Sequence, residues 1–242
     1  MSLLQVENLK KYFGEVHAVD GVSFEISRGE AVSLVGPNGA GKTTLINLLS
    51  GKYEPDEGKI LFEGENITGK APYLLTDKLS RSFQIVSLFD NLTTLDNVRC
   101  GIFSREGKSK KIFYFIDKDA DVTKEALDIL RPVLFDKMKI SPANMPHPFR
   151  KWLDVCVAIT MRPKLILLDE PTSGISKFEK EEYMEQLMSI IKRQKVTLLM
   201  VEHDIDVVIK YTSRVLVMDK GKLIADGKPN EVLASEEVKS VW

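Results

Sequence analysis

Apolar and polar residues alternate over Val22–Ile26, and Leu3–Val6 is a short apolar run, so both read as strands with one buried face. The polar turn Ser27–Glu30 leads into Ala31–Gly36, AVSLVG, which is too short for a helix and reads as a buried strand. A glycine-rich turn then opens a helix, GKTTLINLLSG, over Gly41–Gly51. Pro55–Gly58 is turn material and is followed by a hairpin over Lys59–Ile67. From Asp77 to Arg162 the period lengthens, and Asp121–Met138 carries apolar residues at spacings of three and four, the mark of an amphipathic helix. Arg105–Asp119 mixes charge with aromatics and fits neither period, and the proline-rich Ser141–Pro148 reads as a loop. After it come a buried strand (Leu165–Leu168), a helix (Lys177–Arg193), a strand (Thr197–Val201) and a short helix (Asp204–Thr212). A hairpin about Lys220-Gly221 and a last helix, Pro229–Ala234, close the pattern. Strands alternating with helices predict an α/β protein with a largely parallel sheet covered on both faces.

The composition narrows the function. The 242 residues, 43% apolar and 29% charged, fit a single globular unit with a core of ordinary size, and the helical stretch 85–162 reads as an insertion between 1–84 and 163–242. A net charge of -1 provides no global field toward nucleic acid or an anionic membrane, so nucleic acid is not an expected partner. The lysine cluster at Lys108–Lys111 reads as a solvated loop. Cys100 and Cys156 read as ordinary thiols, and with three histidines at wide spacing they make no zinc site. No segment reaches the ~20 apolar residues of a membrane span, and no secretory signal is expected of MSLLQVENLKKYF. Any membrane work falls to a partner.

Gly36-Pro37-Asn38-Gly39-Ala40-Gly41-Lys42-Thr43 matches GxxxxGK[ST] between an expected strand and an expected helix. Glycines let backbone N–H groups reach phosphate oxygens, and the start of a helix favours an anion. Lys42 is placed for the β- and γ-phosphates, the Thr43 hydroxyl for Mg²⁺, and Thr44 for a further phosphate contact. Downstream, the strand LILL runs into Asp169-Glu170-Pro171. Asp169 is the expected partner of Mg²⁺, and Glu170 the residue that polarises the attacking water.

These motifs, in this order, resemble the ABC ATPases over nearly the whole chain. The resemblance implies a P-loop, RecA-like α/β core with an N-terminal antiparallel β subdomain and an inserted helical subdomain. It implies ATP and Mg²⁺ as ligands. It also identifies Gln84 in RSFQ with a glutamine that senses metal and water, and His203 in VEHD with a histidine that contacts the γ-phosphate. Phe13 takes the place of the aromatic that stacks on adenine, with Tyr12 as the alternative. DGVSFEISRGE, FEGENITG and SRSFQIVSLFDNLTTLDNV are similar to the ATPases of branched-chain amino-acid uptake systems, whose helical insertion falls between Cys100 and Met145.

Two departures matter. Where the family carries LSGGQ or LPYGQ this chain has Met145-Pro146-His147-Pro148-Phe149, and where it carries SALD or SGLD this chain has SGIS, ending in Ser176. In the family both elements act on the ATP of the opposite subunit. Prolines have no N–H to give a phosphate, although they suit a helix start. The expectation is an asymmetric pair with a second ABC ATPase of intact signature, docked peripherally on permease subunits at the cytoplasmic face through Gln84 and Val86–Leu95. The alternative is a nucleotide-gated structural subunit with little turnover.

Overall fold

The computed structural model describes residues 2–82, 88–107 and 119–241. Strands β1 (Ser2–Phe13) and β2 (Val16–Ser27) form an antiparallel hairpin longer than the apolar pattern predicts. Their charged positions face water, and Leu4, Leu9, Val19, Phe24 and Ile26 face the core. On the other side of β1 pairs β4 (Glu57–Phe62), which turns through Glu63 and Gly64, both at positive φ, into β5 (Glu65–Asn66). The sheet order is β2-β1-β4-β5.

The second sheet holds β3 (Ala31–Val35), β6 (Leu79–Ser82), β7 (Leu165–Asp169), β8 (Thr197–Val201), β9 (Arg214–Asp219) and β10 (Lys222–Gly227) in the order β10-β9-β3-β8-β7-β6. All pairs are parallel except β9 with β10. Alternate residues of the buried strands serve opposite faces. Val32, Leu34, Leu167, Leu199 and Leu216 join α1 (Lys42–Leu49) and the antiparallel sheet in one core. Ile166, Leu168, Leu198 and Met200 join α2 (Thr94–Arg105), α3 (Ala120–Leu134), α4 (His147–Thr160) and α5 (Lys177–Gln194) in the other. The valines of β9 pack with Val208 of α6 (Ile205–Tyr211) and Val238 of α8 (Glu236–Lys239).

Three expectations need correction. LSRS, in the α/β core but with no strand expected there, is strand β6; it has one strongly apolar residue, so hydropathy gives no signal for it. The expected loop Ser141–Pro148 already contains the first turn of α4, because proline is tolerated where helical N–H groups lack intrahelical partners. Pro229–Ala234 contributes only α7 (Pro229–Val232), and α8 follows it, capped by the Ser235 hydroxyl. Gln84 and the start of the Val86–Leu95 segment lie outside the described residues, as does most of Arg105–Asp119.

In parallel α/β sheets ligands bind at the carboxyl ends of strands, where the order reverses. Here β3 ends at the Gly36–Thr43 loop, β7 at Asp169-Glu170 and β8 just before His203, all on one edge.

Candidate nucleotide site

The loop after β3 is wedged in place by glycine. Gly36 and Gly41 have φ of 147° and 102°. A Cβ on Gly36 would stand 2.1 Å from the Met218 carbonyl oxygen, and one on Gly41 would stand 2.1 Å from that of Ala18. The loop can therefore lie against β9 and β2 only without side chains at these positions. Gly221, in the β9–β10 turn, donates its N–H to Ala40 O at 3.0 Å. Gly39 has a φ of 82°, and a Cβ there would meet nothing within 4 Å, so its backbone faces open space.

That space is a cleft of about 510 Å³ lined by Asn38 to Thr44, by Glu170 and His203 from the neighbouring strand ends, and by Val16, His17, Ala18 and Lys220. Lys42, the first residue of α1, is buried. Its ammonium donates to Gly36 O at 2.7 Å and Pro37 O at 2.9 Å. Burial lowers its pKa, and the nearby carboxylates of Glu170 and Asp169 act against that. Thr43 is exposed on the cleft wall, with Thr44 beside it.

Glu170 has a positive φ of 51°, uncommon for a residue with a side chain. Three bonds fix it: its N–H donates to Val201 O at 3.0 Å, while its carbonyl accepts from Ser173 N at 3.1 Å and from the Lys151 ammonium at 2.7 Å. Its Oε1 lies 3.1 Å from Nε2 of His203. His203 is held in turn by its N–H, which donates to Glu202 Oε2 at 3.1 Å, and the other Glu202 oxygen accepts from Thr172 N at 3.0 Å. Asp169 is buried behind the cleft wall and ion-paired with Arg81 at 2.9 Å.

The structure thus gathers Gly36–Thr44, Glu170 and His203 at one edge. Phe13, half exposed at the end of β1, pairs across the hairpin with Val16 of the cleft wall and stands edge-on to Tyr53 with ring centroids 5.7 Å apart. It is absent from the cleft lining, and so is Tyr12, which stacks on His17 at 4.1 Å. On that side the wall is Val16 and His17. The sequence reading also missed Arg81, Lys151 and Lys220. Lys151 had a visible signal, a basic residue inside an otherwise apolar helical run; Arg81 had none, because its strand is polar.

At the start of α4, Pro146 and Pro148 have no N–H to give, and the N–H groups of Phe149 and Arg150 donate to Pro146 O at 3.1 and 3.3 Å. The His147 ring lies over Gly174 in the loop after Glu170, its Nδ1 3.3 Å from where a Cβ on Gly174 would stand. Ser176 is the N-cap of α5, where its hydroxyl accepts from Glu179 N, a local role that explains a serine there.

A strand, a glycine-wedged turn and a lysine at the head of a helix, facing a strand-end carboxylate, define a phosphate-loop nucleotide-binding α/β domain. The family model of the ABC transporter matches residues 19–173, and the chain belongs to that family. It is 34% identical over 249 residues to LivG of Archaeoglobus fulgidus, a branched-chain amino acid transport ATP-binding protein, covering 100% of this chain and 95% of the relative. It is also 34% identical over 237 residues to the xylose/arabinose import ATP-binding protein XylG of Sulfolobus acidocaldarius, with 97% and 91% covered. Among solved structures it resembles a nucleotide-free ATP-binding cassette from an ABC transporter, with a TM-score of 0.86 and 29% identity over 100% of this chain and 98% of the other. An ADP-bound cassette matches at a TM-score of 0.86 and 30% identity, again over 100% and 98%. The expected family, the α/β fold with its antiparallel N-terminal sheet, and the ATPase class are borne out. The family binds ATP, and the glycine cradle, the buried ammonium and the open backbone at Gly39 suit a polyphosphate. Among the described residues no helix is long and apolar enough to cross a membrane.

Proposed function

We propose that this chain is the ATP-hydrolysing subunit of an importer of the branched-chain amino-acid type. It works in an asymmetric dimer with a second ABC ATPase and docks on permease subunits at the cytoplasmic face of the membrane. In this reading residues 85–162 form the helical insertion that meets the permease. The substrate assignment is supported by similarity to LivG proteins over the whole chain.

The mechanism follows from the cleft. Backbone N–H groups of residues 39–43 bind phosphate oxygens, and the Lys42 ammonium exchanges its bonds to Gly36 O and Pro37 O for the substrate's terminal phosphates. Glu170 accepts a hydrogen bond from the attacking water, and His203, 3.1 Å away, orients that carboxylate and reaches the γ-phosphate. The Lys151 ammonium and Glu202 hold the loop so that this pair keeps its geometry. The oxygen donors Thr43 and Asp169, with Gln84, suit Mg²⁺, which when bound neutralises phosphate charge.

The observation that supports the asymmetry is the contrast between Gly36–Thr44, Glu170 and His203 gathered at one edge and an α4 start at which Pro146 and Pro148 have no N–H to give. ATP held by this chain is completed by the partner's signature; ATP held by the partner meets Met145–Phe149 and turns over slowly. The test is to co-purify the two subunits and compare Glu170→Gln with the matching partner variant. Glu170→Gln is expected to abolish ATPase activity and the partner variant to spare most of it. The reverse order would overturn the reading.

A further inference from the structure

Asp169 does not end β7 as an isolated carboxylate. Its Oδ2 accepts from Nη2 of Arg81 at 2.9 Å, and the side chains are only 2% and 7% exposed. The other arm of the guanidinium, Nη1, donates to Oδ1 of Asn47. Arg81 stands on β6, Asp169 on β7 and Asn47 on α1, the helix that begins with Lys42. One planar fork therefore ties together the strand leading to Gln84, the strand bearing Asp169, and the phosphate-binding helix. β6 and β7 also pair directly, with Arg81 opposite Leu167. A buried carboxylate needs a counter-charge, and a bidentate-capable guanidinium fixes orientation as well as charge, which an ammonium does not.

We propose that Arg81 is a positioning residue for the carboxylate that holds Mg²⁺. It pairs with Oδ2 and so fixes the carboxylate's direction, and its positive charge would limit how tightly the cation is held. This rests on the reading of Asp169 as a metal-binding residue. Because Asn47 shares the same guanidinium, the carboxylate's orientation is registered to α1 and so to the triphosphate. Removing the fork frees the carboxylate's charge for the cation and disorders its direction. Arg81 thus makes Mg²⁺ binding weaker and turnover faster than a lone Asp169 would, a combination that a merely structural arginine does not produce.

The experiment is a Mg²⁺ titration at fixed concentration of a fluorescent ATP analogue, read as binding, with turnover measured in parallel on the full chain. Arg81→Gln is expected to lower the half-saturating Mg²⁺ about tenfold, equivalent to ~1.4 kcal/mol, and to reduce turnover. Arg81→Lys, which keeps charge and loses the fork, is expected to hold the half-saturation point within about twofold of the original while turnover falls. A half-saturation point for Arg81→Gln equal to or above the original overturns the proposal. Should Arg81→Gln fail to fold, the double variant Arg81→Gln/Asp169→Asn, without metal, is expected to recover the melting temperature, since no unpaired charge is left buried. A double variant that stays unfolded overturns it. Asp169→Asn alone separates the two readings. If it keeps the Mg²⁺ dependence, the assignment of Asp169 falls and this proposal with it. If it loses that dependence while Arg81→Gln matches the original, only the role of Arg81 falls.

Discussion

Helices α1 and α4 both begin without a side-chain cap, and both beginnings flank the Glu170 loop, yet they are built for opposite ends. The start of α1 is glycine: Gly41 takes a left-handed conformation and the adjoining backbone faces a cleft. The start of α4 is proline: Pro146 and Pro148 delete two donors, and Phe149 and Arg150 turn theirs back on Pro146 O. A helix N-terminus attracts an anion through its free N–H groups. Its capacity is set by whether the residues there expose those groups or remove them, not by the helix itself. In this chain the start of α1 lines a cleft, and the start of α4 lacks two of its donors.

The hardest blow to that comparison falls on the glycine side. Gly41→Ala must displace the Ala18 carbonyl, 2.1 Å from the added carbon, and hold φ of 102°. Left-handed strain and overpacking together cost about 2–5 kcal/mol. Loss of measurable ATP binding by calorimetry and a lowered melting temperature are expected. An alanine variant that binds ATP as before would show that the loop is not wedged as described.

Lys42→Met separates the site from the scaffold. A charge-assisted hydrogen bond is worth about 1.5–3 kcal/mol, so ATP affinity should fall roughly 10- to 150-fold. Because the ammonium is held at a burial cost that lowers its pKa, the ligand-free melting temperature should stay level or rise. A large loss of ligand-free stability would instead make Lys42 a structural residue whose bonds to Gly36 O and Pro37 O hold the loop shut.

The proline side is tested by restoring donors. Replacing Pro146 and Pro148 with glycine should raise the ATPase rate of the assembled dimer by returning two backbone N–H groups to the α4 start. Each glycine in the first turn should cost about 0.5–1 kcal/mol of stability. A rate unchanged by the pair of substitutions would mean that Ser176 or the loop above it, rather than the missing donors, limits the partner's site.

Which of these features the sequence announced follows from how each is made. The phosphate loop and the Asp169-Glu170 pair were legible because glycine, lysine and acid at fixed spacing between apolar runs have few other uses. The faces of β7 and β8 were legible because every residue in them is buried. β6 was not, because its partners are polar: Arg81 finds Asp169 and Asn47 in the fold, and a polar strand with three-dimensional partners leaves no hydropathy signal in one dimension. The α4 start was hidden by its prolines, which suggest a break and here suit a first turn. Phe13 was placed by order along the chain alone. β1 runs on to Phe13, which pairs across the turn with Val16 of the cleft wall.

The smallest expected effect acts on the far end of α4 and sharpens the comparison by leaving the cleft alone. Arg105 donates to Oε1 of Glu125 at 2.7 Å and to the carbonyl of Thr160, the last residue of α4, at 2.7 Å, and Arg162 joins Glu125 at 3.1 Å. The cluster ties α2 and α3 to the end of α4. The Arg105 guanidinium, opposed by burial and assisted by Arg162, holds the Glu125 carboxyl below the usual glutamate range. A folded-state pKa below the unfolded one stabilises the fold above the unfolded value of about 4.3, and this contribution is lost as pH falls through the folded value. Glu125→Gln should therefore lower the melting temperature at pH 7 by the equivalent of about 1 kcal/mol or less, the pair being partly solvated. Its melting temperature should also change less than the original's between pH 5 and pH 3. ATP affinity at pH 7 should not move. A fall in affinity would mean that the far end of α4 is coupled to the phosphate cleft, through Lys151 and the carbonyl of Glu170, and that the two helix starts are not independent.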